Sequence, residues 1–190
     1  MTDFLYSIDL TVFYFINHTI SNPIFDKFFP FITNPQNWLI TGIIFWFILF
    51  IKGGRIGKIA AITIIFLIVI SDQISSQFLK HLFGRIRPNN ALTDVHLLVR
   101  NTKSFSFPSS HAVNNFAVAT FLSRIYPNLK WIFFTIASLV AFSRPYVGVH
   151  YPSDIIAGAL IGAGLGYIFA IIARRIDSFL VKRKIESEKS

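Results

Sequence analysis

The stretch "SDIIAGALIGAGLGYIFAIIA", residues 153–173, decides the fold of this chain. It carries one charged residue in 21 positions, and a helix that crosses the hydrocarbon core of a bilayer needs roughly 20 mostly apolar residues. The stretch therefore predicts a membrane-spanning helix. Its small residues Gly158, Gly162 and Gly166 recur at every fourth position, so they lie on one helix face. This face predicts close packing against another helix of the same chain.

The composition extends the membrane interpretation to the whole chain. Of its 190 residues 53% are hydrophobic and 14% are charged, against about 25% charged in a typical soluble domain. The mean hydropathy is +0.57. The length and the lack of a polar linker predict a single domain, residues 1–190. Because the chain has no Cys, disulfides, thiolate catalysis and Cys-based metal sites are excluded.

Four further spans are predicted upstream of residue 153. The last two are separated by the turn signal Pro127-Asn128 and form a helical hairpin. Residues 4–33 are interrupted by Asn17, Pro23 and Pro30, and they form either a sixth span or an interfacial helix. The predicted fold class is all-α, an integral membrane bundle of about six transmembrane helices, five of them at defined positions. Upstream of residue 153 these positions are residues 35–52, 56–79, 111–126 and 129–149.

The distribution of basic residues predicts which helix ends face the cytoplasm. The connections at residues 52–58 and 123–130, together with the tail from residue 174, hold eleven Lys and Arg, and the opposite set holds seven. Cytoplasmic connections usually carry an excess of Lys and Arg, so the first set is predicted to face the cytoplasm. The chain is predicted to be a multi-pass protein of the cytoplasmic (inner) membrane. Residues 80–110 and 143–154 then face the periplasm or exterior. They hold six of the seven outer cations, which predicts an anionic partner on that side.

The first polar block in these outer connections is "KHLFGRIRP", residues 80–88. Lys80 and Arg87 are seven positions apart, and a continuous helix would place both on one face. Arg is suited to bidentate contacts with oxyanions and Lys to a point-charge contact. The alternative is a pair of basic residues that simply flank a transmembrane helix at the lipid headgroups.

The second block is "FPSSHAVNN", residues 107–115. Pro108 followed by Ser109 and Ser110 predicts a helix start, and the unpaired N–H groups at a helix N-terminus favour phosphate binding. His111 at that point could donate a proton to a leaving group. The alternative is an ordinary Ser cap beside an interfacial His.

The third block is "SRPYVGVHYPSD", residues 143–154. Asp154 follows His150 by four positions and lies near a helix start, where the helix dipole favours a carboxylate. The carboxylate could accept a hydrogen bond from one imidazole nitrogen and leave the other free as a nucleophile. Arg144 adds a cation at the end of the preceding span. Asp154 could equally cap its helix, and the two functions are compatible.

Together the blocks resemble the three-part signature of the type 2 phosphatidic acid phosphatase (PAP2) superfamily. That signature is Lys, six residues, Arg-Pro; then Pro-Ser-Gly-His; then Ser-Arg, five residues, His, three residues, Asp. Ser110 stands where the family usually has Gly. The bacterial members typically form six-helix membrane bundles. The matching residues, spread over positions 80–154, are Lys80, Arg87, Pro88, Pro108, Ser109, His111, Ser143, Arg144, His150 and Asp154.

The resemblance implies a phosphatase that works without a metal or a cofactor, through a phosphohistidine. His150 would attack phosphorus, Asp154 would orient His150, and His111 would protonate the leaving oxygen and then help to activate water. The remaining residues would hold the phosphate and stabilise the added charge of the transition state. These are Lys80, Arg87 and Arg144, the hydroxyl or backbone N–H of Ser109, and the backbone N–H of Ser110.

The expected partners are a lipid phosphate substrate, entering sideways from the bilayer, and membrane lipids. The resemblance implies undecaprenyl diphosphate, phosphatidylglycerol phosphate, phosphatidic acid or a lipid A phosphate, and family frequency favours the first. Nucleic acid is not expected, because the basic residues behind the net charge of +9 do not gather in one soluble module. The alternatives are a vanadate-dependent haloperoxidase and an inactive lipid-phosphate binder or transporter. The spans argue against the first, and intact His111, His150 and Asp154 argue against the second.

Two further polar features lie within apolar segments. Asp72, Ser76 and Lys80 share a helix face at four-residue spacing. Asp72 could help to fix Lys80, or it could form a buried hydrogen bond to a neighbouring helix. Asn114 and Asn115 are suited to hydrogen bonds between helices.

Overall fold

The computed structural model describes residues 2–188, with side chains from residue 4 onward, and every regular element within that range is helical. Helix α4 continues through a π-helical segment, Gln73–Leu79, into α5, so that Gly54–Phe83 is one helical rod. The predicted all-α class is confirmed. The α-helices are α1 (Thr2–Tyr14), α2 (Phe25–Thr33), α3 (Leu39–Lys52), α4 (Gly54–Asp72), α5 (Lys80–Phe83), α6 (Pro88–Ala91), α7 (Ser110–Ile125), α8 (Lys130–Tyr146) and α9 (Pro152–Ser187).

Three stretches of the described chain are long and apolar enough to cross a membrane: Pro35–Lys52, Gly54–Ala91 and Pro152–Ser187. The other two predicted spans coincide with α7 and α8, which have 16 and 17 residues. A 3-10 turn at Pro127–Leu129 joins them into the predicted hairpin. Each of the five predicted positions therefore holds a helix, and the membrane bundle predicted from the sequence is confirmed.

The N-terminal region forms two helices instead of one span. Helix α1 runs into a π-helical turn, Phe15–Thr19, and α2 follows after a short connection. Pro30 lies inside α2 and does not end it. Helix α2 packs on α8 through aromatic rings, with centroids 4.5 Å apart for Phe29 and Tyr146 and 5.5 Å apart for Phe29 and Phe142. The region is thus part of the bundle at the end where α8 finishes.

The backbones of α7 and α9 are in close contact along the glycine face of α9. A Cβ at Gly162 would lie 2.2 Å from the carbonyl oxygen of Val113, and one at Gly166 would lie 2.2 Å from that of Ala117. Neither distance is physically accessible, so only glycine permits this approach. The predicted packing within the chain is confirmed. Apolar side chains from α4, α7 and α9 complete the core beside this contact, among them Leu67, Phe121 and Ala170.

Gly162→Ala is expected to destabilise the protein, because its Cβ must push α7 away, and overpacking of this kind costs about 1–3 kcal/mol. Gly164→Ala is the matched control on the same helix, since no atom lies within 4 Å of its added Cβ. The apparent melting temperature in detergent should fall for the first variant and hold or rise for the second. Equal melting temperatures for the two variants would contradict the close packing.

Candidate active site

The three blocks converge at one end of the bundle. Arg87 contacts His150, with 3.1 Å between Nη1 and Nε2. The Ser109 N–H donates to the Asp154 carbonyl at 3.2 Å, which joins the second block to the third. The structure therefore brings the predicted site residues together. Lys80 begins α5, Arg87 directly precedes α6, Ser109 caps α7, and His111 is the second residue of α7. Arg144 lies in the last turn of α8, His150 lies between α8 and α9, and Asp154 lies in the first turn of α9.

In the first block, Lys80 and Arg87 do not lie on one continuous helix. Helix α5 ends at Phe83, because Gly84 adopts the left-handed conformation with φ of 57°. Lys80 and Arg87 therefore do not lie on one helix face. The loop that follows turns Arg87 back toward the bundle, where its Nε donates to the Ser104 carbonyl at 2.8 Å. Both cations still reach the same buried region, by a different backbone path.

The His150 imidazole is held between an acid and a cation. Its Nδ1 lies 3.3 Å from Asp154 Oδ2, while Arg87 Nη1 faces Nε2. Because the carboxylate can only accept and the guanidinium can only donate, the partners assign the proton to Nδ1 and the lone pair to Nε2. The ring is 1% exposed. The nitrogen that carries the lone pair is therefore the one that faces Arg87.

Burial lowers the pKa of His150 well below its ordinary value of 6.5, and the nearby cations Arg87, Arg144 and Lys80 lower it further. A lowered pKa favours the neutral imidazole over the imidazolium. The side chain thus keeps its lone pair at neutral pH and well into the acidic range. An uncharged nitrogen with a free lone pair is the form that nucleophilic attack requires.

Asp154 both caps α9 and faces His150, as the sequence allowed. Its Oδ2 accepts the Tyr151 N–H at 2.9 Å, the N-terminal capping contact. The same oxygen accepts the Ser106 hydroxyl, and Oδ1 pairs with Arg85 at 2.7 Å. The carboxylate is fully buried. These contacts fix its orientation toward the imidazole.

Three cations around His150 are buried without a counter-ion. Lys80, Arg87 and Arg144 are 7%, 4% and 9% exposed. Among the side chains of residues 4–188, none of the three has a carboxylate oxygen within 4.0 Å. Arg144 donates from Nη1 to Thr33 Oγ1 at 2.6 Å, and its buried Nε has no partner among those residues. Buried charges without compensation cost several kcal/mol each, so this cluster is built to receive an anion.

The start of α7 supplies further donors beside the cations. Ser109 is the N-cap, and its hydroxyl oxygen accepts the Ala112 N–H at 3.5 Å. Its own N–H is engaged by Asp154, so of the two donors expected from Ser109 only the hydroxyl stays available. Ser110 and His111 are the first two residues of the helix, where backbone N–H groups have no acceptor within the helix. His111 lies near the charges of Arg144 and Lys80.

The Ser110 side chain points away from this pocket, into a polar chain between helices. Its hydroxyl lies 2.9 Å from Ser76 Oγ, and Ser76 donates to Asp72 Oδ1 at 3.2 Å. Asn114 of α7 donates to the same Asp72 oxygen at 3.2 Å. The hydrogen bond to a neighbouring helix considered for Asp72 is therefore present, and Lys80 is not among the hydrogen-bond partners that the structure gives Asp72. The Cβ that replaces the usual glycine is accommodated at this helix contact.

Five polar residues that contact the site residues were not predicted from the sequence. Arg85 and Asp9 had visible signals, a further cation two residues before Arg87 and an acid inside an apolar helix. The serines alternate with Phe in residues 104–107, a pattern that by itself indicates no function. Thr33 had no signal. The five residues are Asp9, Thr33, Arg85, Ser104 and Ser106.

Comparisons with known proteins agree with this arrangement. The model of the PAP2 superfamily matches residues 61–177. A lipid A 4'-phosphatase of Bacteroides thetaiotaomicron is 32% identical over 189 residues, which cover 95% of this chain and 83% of that protein. An undecaprenyl-diphosphatase of Sulfolobus acidocaldarius is 33% identical over 122 residues, 64% of this chain and 57% of that protein. The crystal structure of Aquifex aeolicus LpxE superposes with a TM-score of 0.67 at 34% identity, covering 85% of this chain and 94% of that one.

Ser110→Gly is expected to leave the turnover number close to that of the wild type and to lower stability by about 1 kcal/mol, the net value of one hydrogen bond. Ser76→Ala is the matched control, because it removes the same contact from the other helix. Phosphate release and the apparent melting temperature in detergent measure the two effects. A rise in turnover of a hundredfold or more in Ser110→Gly would show that the serine obstructs the site.

Proposed function

The chain belongs to the PAP2 superfamily and is a membrane lipid phosphatase, and we propose that it hydrolyses its substrate through a phosphohistidine on His150. The observation that carries the proposal is the set of three buried cations without carboxylate partners, gathered around the imidazole. A phosphate group has the charge and the acceptor oxygens that these donors lack. Nε2 of His150 carries the lone pair and faces the same space.

In the first step, His150 Nε2 attacks phosphorus and the bond between phosphorus and the lipid oxygen breaks. His111 donates its proton to the departing oxygen as general acid. The Arg87 N–H that faces His150 Nε2 donates instead to a phosphate oxygen, which leaves the Nε2 lone pair free to attack. Lys80, Arg87 and Arg144 neutralise the charge that builds on the equatorial oxygens, with the N–H groups of the α7 N-terminus beside them.

In the second step, water attacks the phosphohistidine. His111, now neutral, accepts a proton from that water, and the phosphorus–nitrogen bond breaks as inorganic phosphate forms. His150 regains its Nε2 lone pair, and Nδ1 keeps its proton and donates it in a hydrogen bond to Asp154 throughout. Atoms and protons balance over the two steps without a metal. Asp154 stabilises the positive charge that the ring carries in the covalent intermediate.

An apolar wall beside Lys80 supports entry of the substrate from the bilayer. Phe78, Leu82 and Phe83 on the helical rod, and Ile86 in the loop after it, are each more than half exposed. Contact of this apolar surface with lipid chains is favoured over its exposure to water. A lipid can therefore lie against the rod while its phosphate reaches the buried cations.

A lipid A phosphate is the first candidate substrate, because the match to the lipid A 4'-phosphatase covers nearly the whole chain. Undecaprenyl diphosphate is the second, supported by the match to an undecaprenyl-diphosphatase over 122 residues. The residues that contact phosphate do not distinguish these lipids. Phosphatidylglycerol phosphate and phosphatidic acid complete the panel that a substrate assay should contain.

The site is proposed to face the periplasm or exterior of the cytoplasmic membrane. The opposite end of the bundle holds the basic connections that the positive-inside rule assigns to the cytoplasm. Arg55 and Asp177 pair there at 2.6 Å, which joins the start of α4 to the distal part of α9. The phosphatase reaction would then occur on lipids of the outer leaflet.

The purified chain in detergent with EDTA is expected to release inorganic phosphate from at least one lipid of the panel. His150→Ala should lower that release by at least about 1,000-fold, because no phosphohistidine can form. His81→Ala is the matched control, since His81 is exposed and lies outside the signature. Undiminished release by His150→Ala contradicts the mechanism, loss of wild-type release in EDTA contradicts its independence of metals, and no release under any condition favours a binder.

Sidedness can be measured because the chain has no Cys. Thr102 is exposed in the loop before α7, and Asn128 is exposed in the turn at the opposite end of that helix. An impermeant thiol reagent should label Thr102→Cys in intact cells and Asn128→Cys only after lysis. The reverse pattern would place the site in the cytoplasm.

A further inference from the structure

We infer that Arg85 and Asp9 are positioning residues, which hold the His150–Asp154 pair in place through α1. The inference rests on the proposed function, because it concerns the same nucleophile. Neither residue belongs to the three-part signature. Together they make the first helix of the chain part of the active site.

Arg85 is the central element of this arrangement. Its Nη1 donates to Asp154 Oδ1 at 2.7 Å and to Ser153 Oγ at 2.7 Å, and its Nη2 pairs with Asp9 Oδ2 at 2.6 Å. One guanidinium thus bridges two carboxylates from two helices. The oxygen of Asp154 that it holds is not the one that faces Nδ1 of His150. Arg85 therefore acts on the nucleophile through Asp154.

Asp9 connects the same cluster to α1. It is 7% exposed, and besides Arg85 it accepts the Ser153 N–H at 2.8 Å and the Ser153 hydroxyl at 2.5 Å. Ser153 directly precedes Asp154 in the first turn of α9. The carboxylate of α1 therefore fixes the backbone at the point where the orienting acid begins.

Tyr151 fills the space between these groups. The guanidinium of Arg85 lies 4.0 Å from the centre of its ring, and Phe13 and Tyr6 of α1 pack on the ring with centroid distances of 5.8 and 6.1 Å. Tyr151 is 1% exposed and directly follows His150. Aromatic and cation–π contacts thus lock the residue between the nucleophile and the helix start.

Loss of Arg85 would leave two carboxylates facing each other in a poorly solvated region. Asp154 is fully buried, so it would lose its only ion pair with an arginine among the described residues. An unpaired buried charge moves or takes up a proton. Either change alters the hydrogen bond to His150 while leaving the phosphate-binding cations in place.

The test measures kcat, KM and the inhibition constant of inorganic phosphate for Arg85→Gln, Arg85→Lys, Asp9→Asn and the Asp9→Asn/Arg85→Gln double variant. For Arg85→Gln we expect kcat to fall about 100-fold, because a small displacement of a reacting group has that cost. KM and the phosphate constant should stay within about threefold, since Lys80, Arg87 and Arg144 are intact. Arg85→Lys should recover part of kcat. Asp9→Asn should lower kcat about tenfold, and the double variant should be no worse than Arg85→Gln alone.

Asp94→Asn is the matched control, because Asp94 also ties α1 to a loop, through Tyr14, but does not contact Arg85. Its kcat should equal that of the wild type. A kcat for Arg85→Gln near the wild-type value overturns the inference, as does a loss confined to KM and the phosphate constant, which would make Arg85 a phosphate ligand. If Arg85→Gln does not fold, the kcat of Asp9→Asn tests the inference, because asparagine keeps the shape of the aspartate side chain. A wild-type kcat for Asp9→Asn would then overturn the inference. A wild-type chain that releases no phosphate overturns the proposed function itself, and this inference with it.

Discussion

Helices α7 and α9 touch through their backbones, and the relative position of the two site histidines depends on that contact. Gly162 and Gly166 place no Cβ between the helices, so the carbonyl groups of α7 approach α9 directly. At the site end of the contact, the Ser109 N–H donates to the Asp154 carbonyl. This bond joins the first turn that carries His111 to the first turn that follows His150. Because both turns belong to rigid helices, a wider spacing would separate the two imidazoles.

Charge at this end of the bundle is divided into two layers. In one layer, Arg85 satisfies the carboxylates of Asp9 and Asp154. In the other, Lys80, Arg87 and Arg144 have no ion pair with an acid among the side chains of residues 4–188, and Arg87 faces Nε2 of His150. Arg85 and Asp154 thus form an ion pair on the Nδ1 side of His150, while Arg87 lies on the Nε2 side.

The sequence predicts most of the helices and the site residues, because both are dictated by short-range rules. A bilayer sets the length of each apolar segment, and phosphate chemistry sets residue types at fixed spacing. The path from Lys80 to Arg87 was less predictable, since a single left-handed glycine replaces a helical turn. Asp9 and Thr33 could not be assigned partners, because those partners lie 76 and 111 positions along the chain. Such contacts arise when distant segments of the chain pack together, and no local sequence pattern indicates them.

Asp9 has a consequence for how the protein is assembled. It lies in α1, which precedes its partners Arg85 and Ser153 by 76 and 144 residues and so leaves the ribosome before them. During synthesis Asp9 has no ion pair with Arg85 until the helical rod and the loop after it have been made. It has no contact with Ser153 until α9 begins. His150 and Asp154 are synthesised at the same stage as Ser153. The polar cluster around Asp154 therefore cannot assemble before the start of α9 has been made.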